Sequence, residues 1–148
     1  MTNQTISFFM RHWNQGKPVP VHGSGHQRRS FLYIDDAVRA FEVILRSGQV
    51  GEVYNIGSPY ELSVLDVVRD VAQAVTGSQQ ADCSIEFVRD RPFNDQRYLL
   101  DWTKLRALGW TPQTSWADGL VQTVAWYRAH PGYWAVYPCA GLDGPQPG

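Results

Sequence analysis

The chain has 148 residues, a length that suits one domain with a modest core. Hydrophobic residues make up 43%, with six Trp, seven Tyr and six Phe, which excludes a disordered chain. A net charge of -1 points to neither a nucleic-acid-binding stripe nor an acidic tail.

In chain order, Ile6 to Trp13 predicts a short helix, ended by Gly16 and Pro18. Val19-Pro20-Val21-His22 predicts an extended piece and Phe31-Leu32-Tyr33-Ile34 a second one, with a turn at Gly23-Ser24-Gly25 between them. Asp35 or Asp36 then caps a helix that carries Val38, Phe41, Ile44 and Leu45 on one side and closes at Gly48. Val53-Tyr54-Asn55-Ile56, set between Gly51 and Gly57, predicts a strand.

Ser63 and Asp66 form a capping-box signature. The helix they open turns Val64, Val67, Val68, Val71 and Val75 inward, with Gly77 beyond its end. Its β-branched residues lower its propensity, so it must lean on tertiary packing. Ile85 to Val88 alternates as a strand. Asp101 caps a short helix through Leu105 and Leu108, ended by Gly109. Ser115 and Asp118 repeat the capping pattern before a helix bearing Trp116, Leu120, Val124 and Tyr127, stopped at Pro131. Residues 1–134 form the structured unit, and the Gly/Pro-rich stretch 135–148 is expected to be a disordered tail. Strands alternating with helices indicate an α/β layout.

Cys83 and Cys139 have neither metal nor disulfide-framework spacing, and the four histidines offer no metal site. The N-terminal stretch lacks the charge and apolar pattern of a secretory leader, and no stretch reaches membrane-span length. Together these predict a soluble, cytoplasmic protein without nucleic-acid or membrane partners.

Arginine outnumbers lysine eleven to two, and its planar fork suits phosphate and carboxylate. Arg29 stands just before an apolar extended run, where the backbone can hold a guanidinium at a cleft mouth. It can equally be a strand-start arginine paired with Asp35 or Asp36. Arg91-Pro92 sets a rigid entry to Phe93-Asn94-Asp95-Gln96-Arg97, a polar loop of the kind that binds ligands. The alternative is a surface connection in which Asp95 pairs with Arg97. Asn55 within an apolar run must find a partner or face a cavity.

Five segments carry a family resemblance: Val19 to Gly25, Arg29 to Asp36, Val53 to Gly57, Arg91 to Tyr98 and Leu108-Gly109-Trp110. In this order they resemble the C-terminal, substrate-binding part of extended short-chain dehydrogenases, specifically the NDP-glucose 4,6-dehydratases. Arg91-Pro92-Phe93-Asn94-Asp95-Gln96-Arg97-Tyr98 is most similar to the UDP-glucose dehydratase domain of plant-type rhamnose synthases. The resemblance implies an α/β fold that is part of the extended dehydrogenase fold, without its N-terminal Rossmann portion. It implies that Arg29 and Arg91 clamp a diphosphate, and that Asn55 and Asn94 hydrogen-bond phosphate or ribose oxygens. Pro20 and His22 would line the slot for the base, and Asp36 would cap its helix without a part in catalysis.

Two elements of the family pattern have no counterpart. Gly23-Ser24-Gly25 leads into a strand instead of a helix, so it does not meet the requirement of a dinucleotide fingerprint. None of the seven tyrosines is followed four positions later by lysine, the pair with which relatives oxidise the sugar with NAD. The expectation is therefore a chain that binds UDP-glucose or a related nucleotide sugar and holds no cofactor alone. It would be catalytically incomplete, with NAD belonging to the full-length family and the Rossmann portion a possible partner in trans. The Val53 segment would complete that portion's sheet. The alternatives are a non-catalytic nucleotide-sugar-binding or regulatory module and a truncated gene product that does not act independently.

Overall fold

A computed structural model describes residues 2–77, 85–90, 92 and 95–133. Helix α1 (Thr2–Asn14) buries Ile6, Phe9 and Met10, one face at helical spacing. Strand β1 (Val19–His22) pairs in parallel with β4 (Ile85–Val88), in the register Val19 to Ile85 and His22 to Val88. Between them in sequence, α3 (Val64–Thr76) packs Val67, Val68 and Val71 against α1, β1 and α5 (Trp116–Ala129). The capping box at its start forms: Ser63 Oγ accepts the Asp66 amide at 3.1 Å, and the Asp66 carboxylate reaches back to Ser63. Gly77 closes the helix at φ 73°, the left-handed cap. In α5, Ser115 Oγ accepts the Asp118 amide, and Leu120 and Val124 turn into the same core with Trp116 and Tyr127 at its border.

The strand expected at Phe31–Ile34 lies three residues earlier. Strand β2 (Arg28–Ser30) pairs antiparallel with β3 (Glu61–Ser63), a strand the sequence did not announce. The ladder ends where the Phe31 amide donates to Tyr60 O, and Ile34 already starts α2 (Ile34–Ser47). Phe31 to Ile34 is apolar because it packs, not because it pairs. Phe31 is buried 4.8 Å from the Trp116 ring, and Leu32 rests against the second core.

That second core is small. Ala40 of α2, Leu105 of α4 (Thr103–Ala107) and Trp110 are its buried centre. Asp36 does not cap its own helix; Tyr33 occupies that position with no side-chain bond. Instead the Asp36 carboxylate, fully buried, accepts the Gln113 amide at 2.8 Å and the Thr114 amide at 3.0 Å and ion-pairs with Arg39. Trp110 Nε1 donates to the Asp36 carbonyl at 3.1 Å. Asp36 is the third residue of α2, and from there its carboxylate serves the amides of a neighbouring chain segment. In α4, Trp102 takes the cap position, and Asp101 Oδ1 accepts the Thr103 amide from one residue further back.

Of the four residues read on one side of α2, Ile44 rests half-buried against the second core and the other three face outward. Val38, Phe41 and Leu45 are 50%, 59% and 85% exposed. Residues 53–56 form no strand, and Val53 is 78% exposed. A strand needs a partner's ladder, and among the described residues none lies against this one. The expected tail, 135–148, lies outside the described residues.

Candidate functional site

The stretch 95–101 organises the site. The Arg28 amide donates to Gln96 O at 2.9 Å, Arg28 and Arg97 form a parallel bridge, and Ser30 Oγ donates to Tyr98 O at 3.1 Å. Strand β2 is therefore flanked by β3 on one side and by the Asp95–Tyr98 backbone on the other. This lacing brings Arg29 to the polar loop identified in sequence.

Arg29 is half-buried and held from three directions. Its Nη1 donates to Arg28 O and to Asp95 O, both at 2.8 Å, and its guanidinium carbon lies 5.0 Å from the centre of the Tyr98 ring. Backbone carbonyls and an aromatic face fix the plane of the fork. Asp36, one of the partners considered for Arg29, is engaged by Arg39. Arg91 and Asn94, the other two polar candidates of the loop, lie outside the described residues.

The Asp95–Arg97 pair, the alternative reading of this loop, does not form. Arg97 instead meets Glu61 in a two-pronged contact, Nε to Oε1 at 2.6 Å and Nη2 to Oε2 at 2.9 Å. Arg28 adds a second contact to the same carboxylate at 3.4 Å and donates to the Glu61 carbonyl. The hydrogen bond from Arg97 holds the Glu61 carboxyl below its ordinary range, with both arginine charges adding to the effect. Asp95 serves Tyr98: its hydrogen bond and charge raise the phenol above its usual value. Arg97 and Tyr98 were within the recognised motif, but Glu61 had no sequence signal beyond being an acid beside a short polar run.

Pro20 and His22 alternate with buried Val19 and Val21, so both lie on the other face of β1. His22 Nδ1 lies 3.1 Å from Arg89 O, a contact in which Nδ1–H donates to the carbonyl. Asn55 finds a partner: Nδ2 donates to Asp101 O at 3.1 Å, tying residues 53–57 to the far end of the 95–101 stretch. Nearby, a Cβ on Gly57 would come within 2.5 Å of Trp102 Cδ1, so this backbone crosses the indole closely.

A cavity of about 270 Å³ lies elsewhere, lined by Phe31, Tyr33, Tyr60, Trp116, Thr123 and Tyr127 among others. Among the described residues, neither Arg29, Asn55, Pro20 and His22 nor any charged side chain lines it, so it does not suit a diphosphate. Among the described residues no three acids, histidines or cysteines converge on a metal site, and no helix is long and apolar enough to cross a membrane. The glycine turn does not fit the pyrophosphate of a dinucleotide. Gly25, at φ 72°, is closed off by Leu65 and Val21, a Cβ on Gly23 would strike the Asp90 carboxylate, and the turn runs into β2.

Comparison with known proteins gives the family. Residues 1–123 match the GDP-mannose 4,6 dehydratase family. The chain is 47% identical over 131 residues to a trifunctional UDP-glucose 4,6-dehydratase/UDP-4-keto-6-deoxy-D-glucose 3,5-epimerase/UDP-4-keto-L-rhamnose-reductase of Arabidopsis thaliana, covering 88% of this chain and 19% of that protein. It is 43% identical to the dTDP-D-glucose 4,6-dehydratase of Mus musculus over 73% of this chain and 31% of the relative. The dTDP-glucose 4,6-dehydratase of Streptomyces venezuelae, solved with NAD bound, superimposes with a TM-score of 0.81 at 35% identity, over 89% of this chain and 40% of that one. The chain thus spans between a fifth and two-fifths of the length of these relatives. With a dehydratase match over most of its length and the α/β architecture of the extended short-chain dehydrogenases, the chain belongs to the GDP-mannose 4,6 dehydratase family, beside the NDP-glucose 4,6-dehydratases.

Proposed function

We propose that this chain is the nucleotide-sugar-binding portion of an NDP-glucose 4,6-dehydratase, with UDP-glucose as its ligand, and that Arg29 holds the diphosphate. The observation that carries this reading is the fixed Arg29 guanidinium, gripped by Asp95 O and seated on Tyr98. A diphosphate offers paired anionic oxygens to such a fork, and each charge-assisted bond is worth roughly 1.5–3 kcal/mol. Arg91, four residues before Asp95, would supply the second cation. Pro20 and His22 would bound the base, with Asn55 and Asn94 on the phosphate or ribose side. UDP is preferred over dTDP because the resemblance around Phe93 and Asn94 is to UDP-glucose enzymes.

The oxidation chemistry of the family would be supplied by NAD, and among the described residues the Gly23–Gly25 turn does not fit its pyrophosphate. What they would do is bind and orient the sugar nucleotide. The apolar stripe of Ile34, Val38, Phe41 and Leu45 on α2, next in sequence to the unpaired residues 53–56, has the form of half an α/β layer. A cofactor-binding sheet from the rest of such an enzyme, in cis or in trans, would cover the helix and extend its ladder along 53–56.

Calorimetry with UDP-glucose tests the reading, with Arg29→Ala and Arg91→Ala alongside. Binding by the wild type that both variants lose supports it. No heat from a folded, soluble chain overturns it for the chain alone. Formation of a 4-keto-6-deoxy sugar by the chain alone would overturn its catalytic incompleteness.

A further inference from the structure

We propose that Glu61 is a positioning residue for Arg29: by gripping Arg97 it docks the 95–98 backbone onto β2 and so aims the Arg29 guanidinium. Three arginines crowd this edge. Arg28 and Arg97 both bring their guanidinium groups to the Glu61 carboxylate, at 3.4 and 2.6 Å, and Arg29, next to Arg28 on β2, bonds the Arg28 carbonyl. Without a central anion they would repel one another and the docked loop with them. Glu61 itself is fixed, since its strand pairs with β2 in the register Ser30 to Glu61 and its side chain is only 13% exposed. Three supports of Arg29 sit on the docked stretch or its bridge: Asp95 O, the Tyr98 ring and the Arg28 carbonyl. An arginine pair on a carboxylate is bidentate and directional, so it sets the position of Arg97's backbone as well as its charge. Glu61 touches no ligand in this scheme; its effect passes through Arg97 and the loop.

The proposal rests on the diphosphate reading for its binding consequence, but its structural half can be measured without ligand. The full chain carrying Glu61→Gln would be titrated with UDP and followed by amide hydrogen exchange. Affinity should fall at least about tenfold, a change equal to one lost charge-assisted contact. Exchange of the Arg28 amide, bonded to Gln96 O, should quicken at least about tenfold while the Phe31 amide, bonded to Tyr60 O, keeps its protection. In an Arg29→Ala background the same change should add no further loss of affinity, which separates positioning from general destabilisation. Should Glu61→Gln not fold, Arg97→Gln makes the same test, because it frees the loop and leaves the Glu61–Arg28 contact. If the wild type binds no UDP while Glu61→Gln still releases the Arg28 amide, the docking role stands and only the diphosphate reading fails. Unchanged exchange at Arg28, unchanged or tighter UDP binding, or a full additional loss in the Arg29→Ala background would overturn the proposal.

Discussion

Asp36 and Gln113 are 77 positions apart, yet the carboxylate Oδ1 of one accepts the backbone amide of the other at 2.8 Å. With Thr114 on the second oxygen and Trp110 on the Asp36 carbonyl, this contact fastens the segment after α4 to the first turn of α2. The buried carboxylate is a joint between the two ends of the fold.

Asp36→Asn should therefore destabilise the chain by about 2–4 kcal/mol, since it removes the charge that satisfies two amides and pairs Arg39. Burial alone would raise the Asp36 carboxyl, but the Gln113 and Thr114 amides, followed by Arg39, outweigh it and hold the group below its ordinary range. The sign follows. A depressed folded value means the stabilisation is complete above the unfolded value of about 4 and is lost as pH falls through the lower folded one. Denaturant melts of wild type and Asp36→Asn across pH 7 to 2 should converge at the acid end.

Arg29→Lys should weaken UDP-glucose binding almost as much as Arg29→Ala. An ammonium is a point donor without the planar guanidinium that lies by Tyr98 and, with Nη1 held by two carbonyls, keeps a fixed plane for paired oxygens. Titration of the two variants side by side checks this; near wild-type affinity for lysine would show that charge alone suffices.

Phe41→Glu and Leu45→Glu should leave the melting temperature nearly unchanged, within about 0.5 kcal/mol, because both side chains are exposed. The same changes should reduce self-association of the isolated chain, measured by light scattering, since an uncovered apolar stripe is sticky. They should also block any complementation by the cofactor-binding portion of a related dehydratase.

Two glycines at positive φ should respond differently to alanine. Gly77, at φ 73° with open space around it, should lose only about 1–2 kcal/mol for the left-handed backbone. Gly25, at φ 72°, adds contacts of 2.7 Å to Leu65 and 2.8 Å to Val21, so its variant should lose distinctly more. Chemical denaturation of the pair decides it, and equal losses would mean that α3 simply shifts to make room.

Local patterns in the sequence sufficed wherever neighbours along the chain supply the partners. The Ser63 cap with its valine-lined helix, β1, β4 and α5 could be read directly, because capping and helical spacing are interactions over three or four residues. The grouping of Arg29 with the Arg91–Tyr98 loop was legible only through the family pattern, and the family itself was legible from five short segments in order. What tertiary structure alone decided is everything settled by a distant partner. Glu61–Ser63 became a strand because Arg28–Ser30 lies beside it, and Glu61 rather than Asp95 received Arg97. Asp36 turned from helix cap to cross-chain anchor because Gln113 and Thr114 came within reach. Val38, Phe41, Ile44 and Leu45 read as one apolar helix side in sequence; in the fold Ile44 rests against the second core and the other three stand in solvent. Periodicity tells that a face is apolar, but what covers it depends on chain brought there by the rest of the fold.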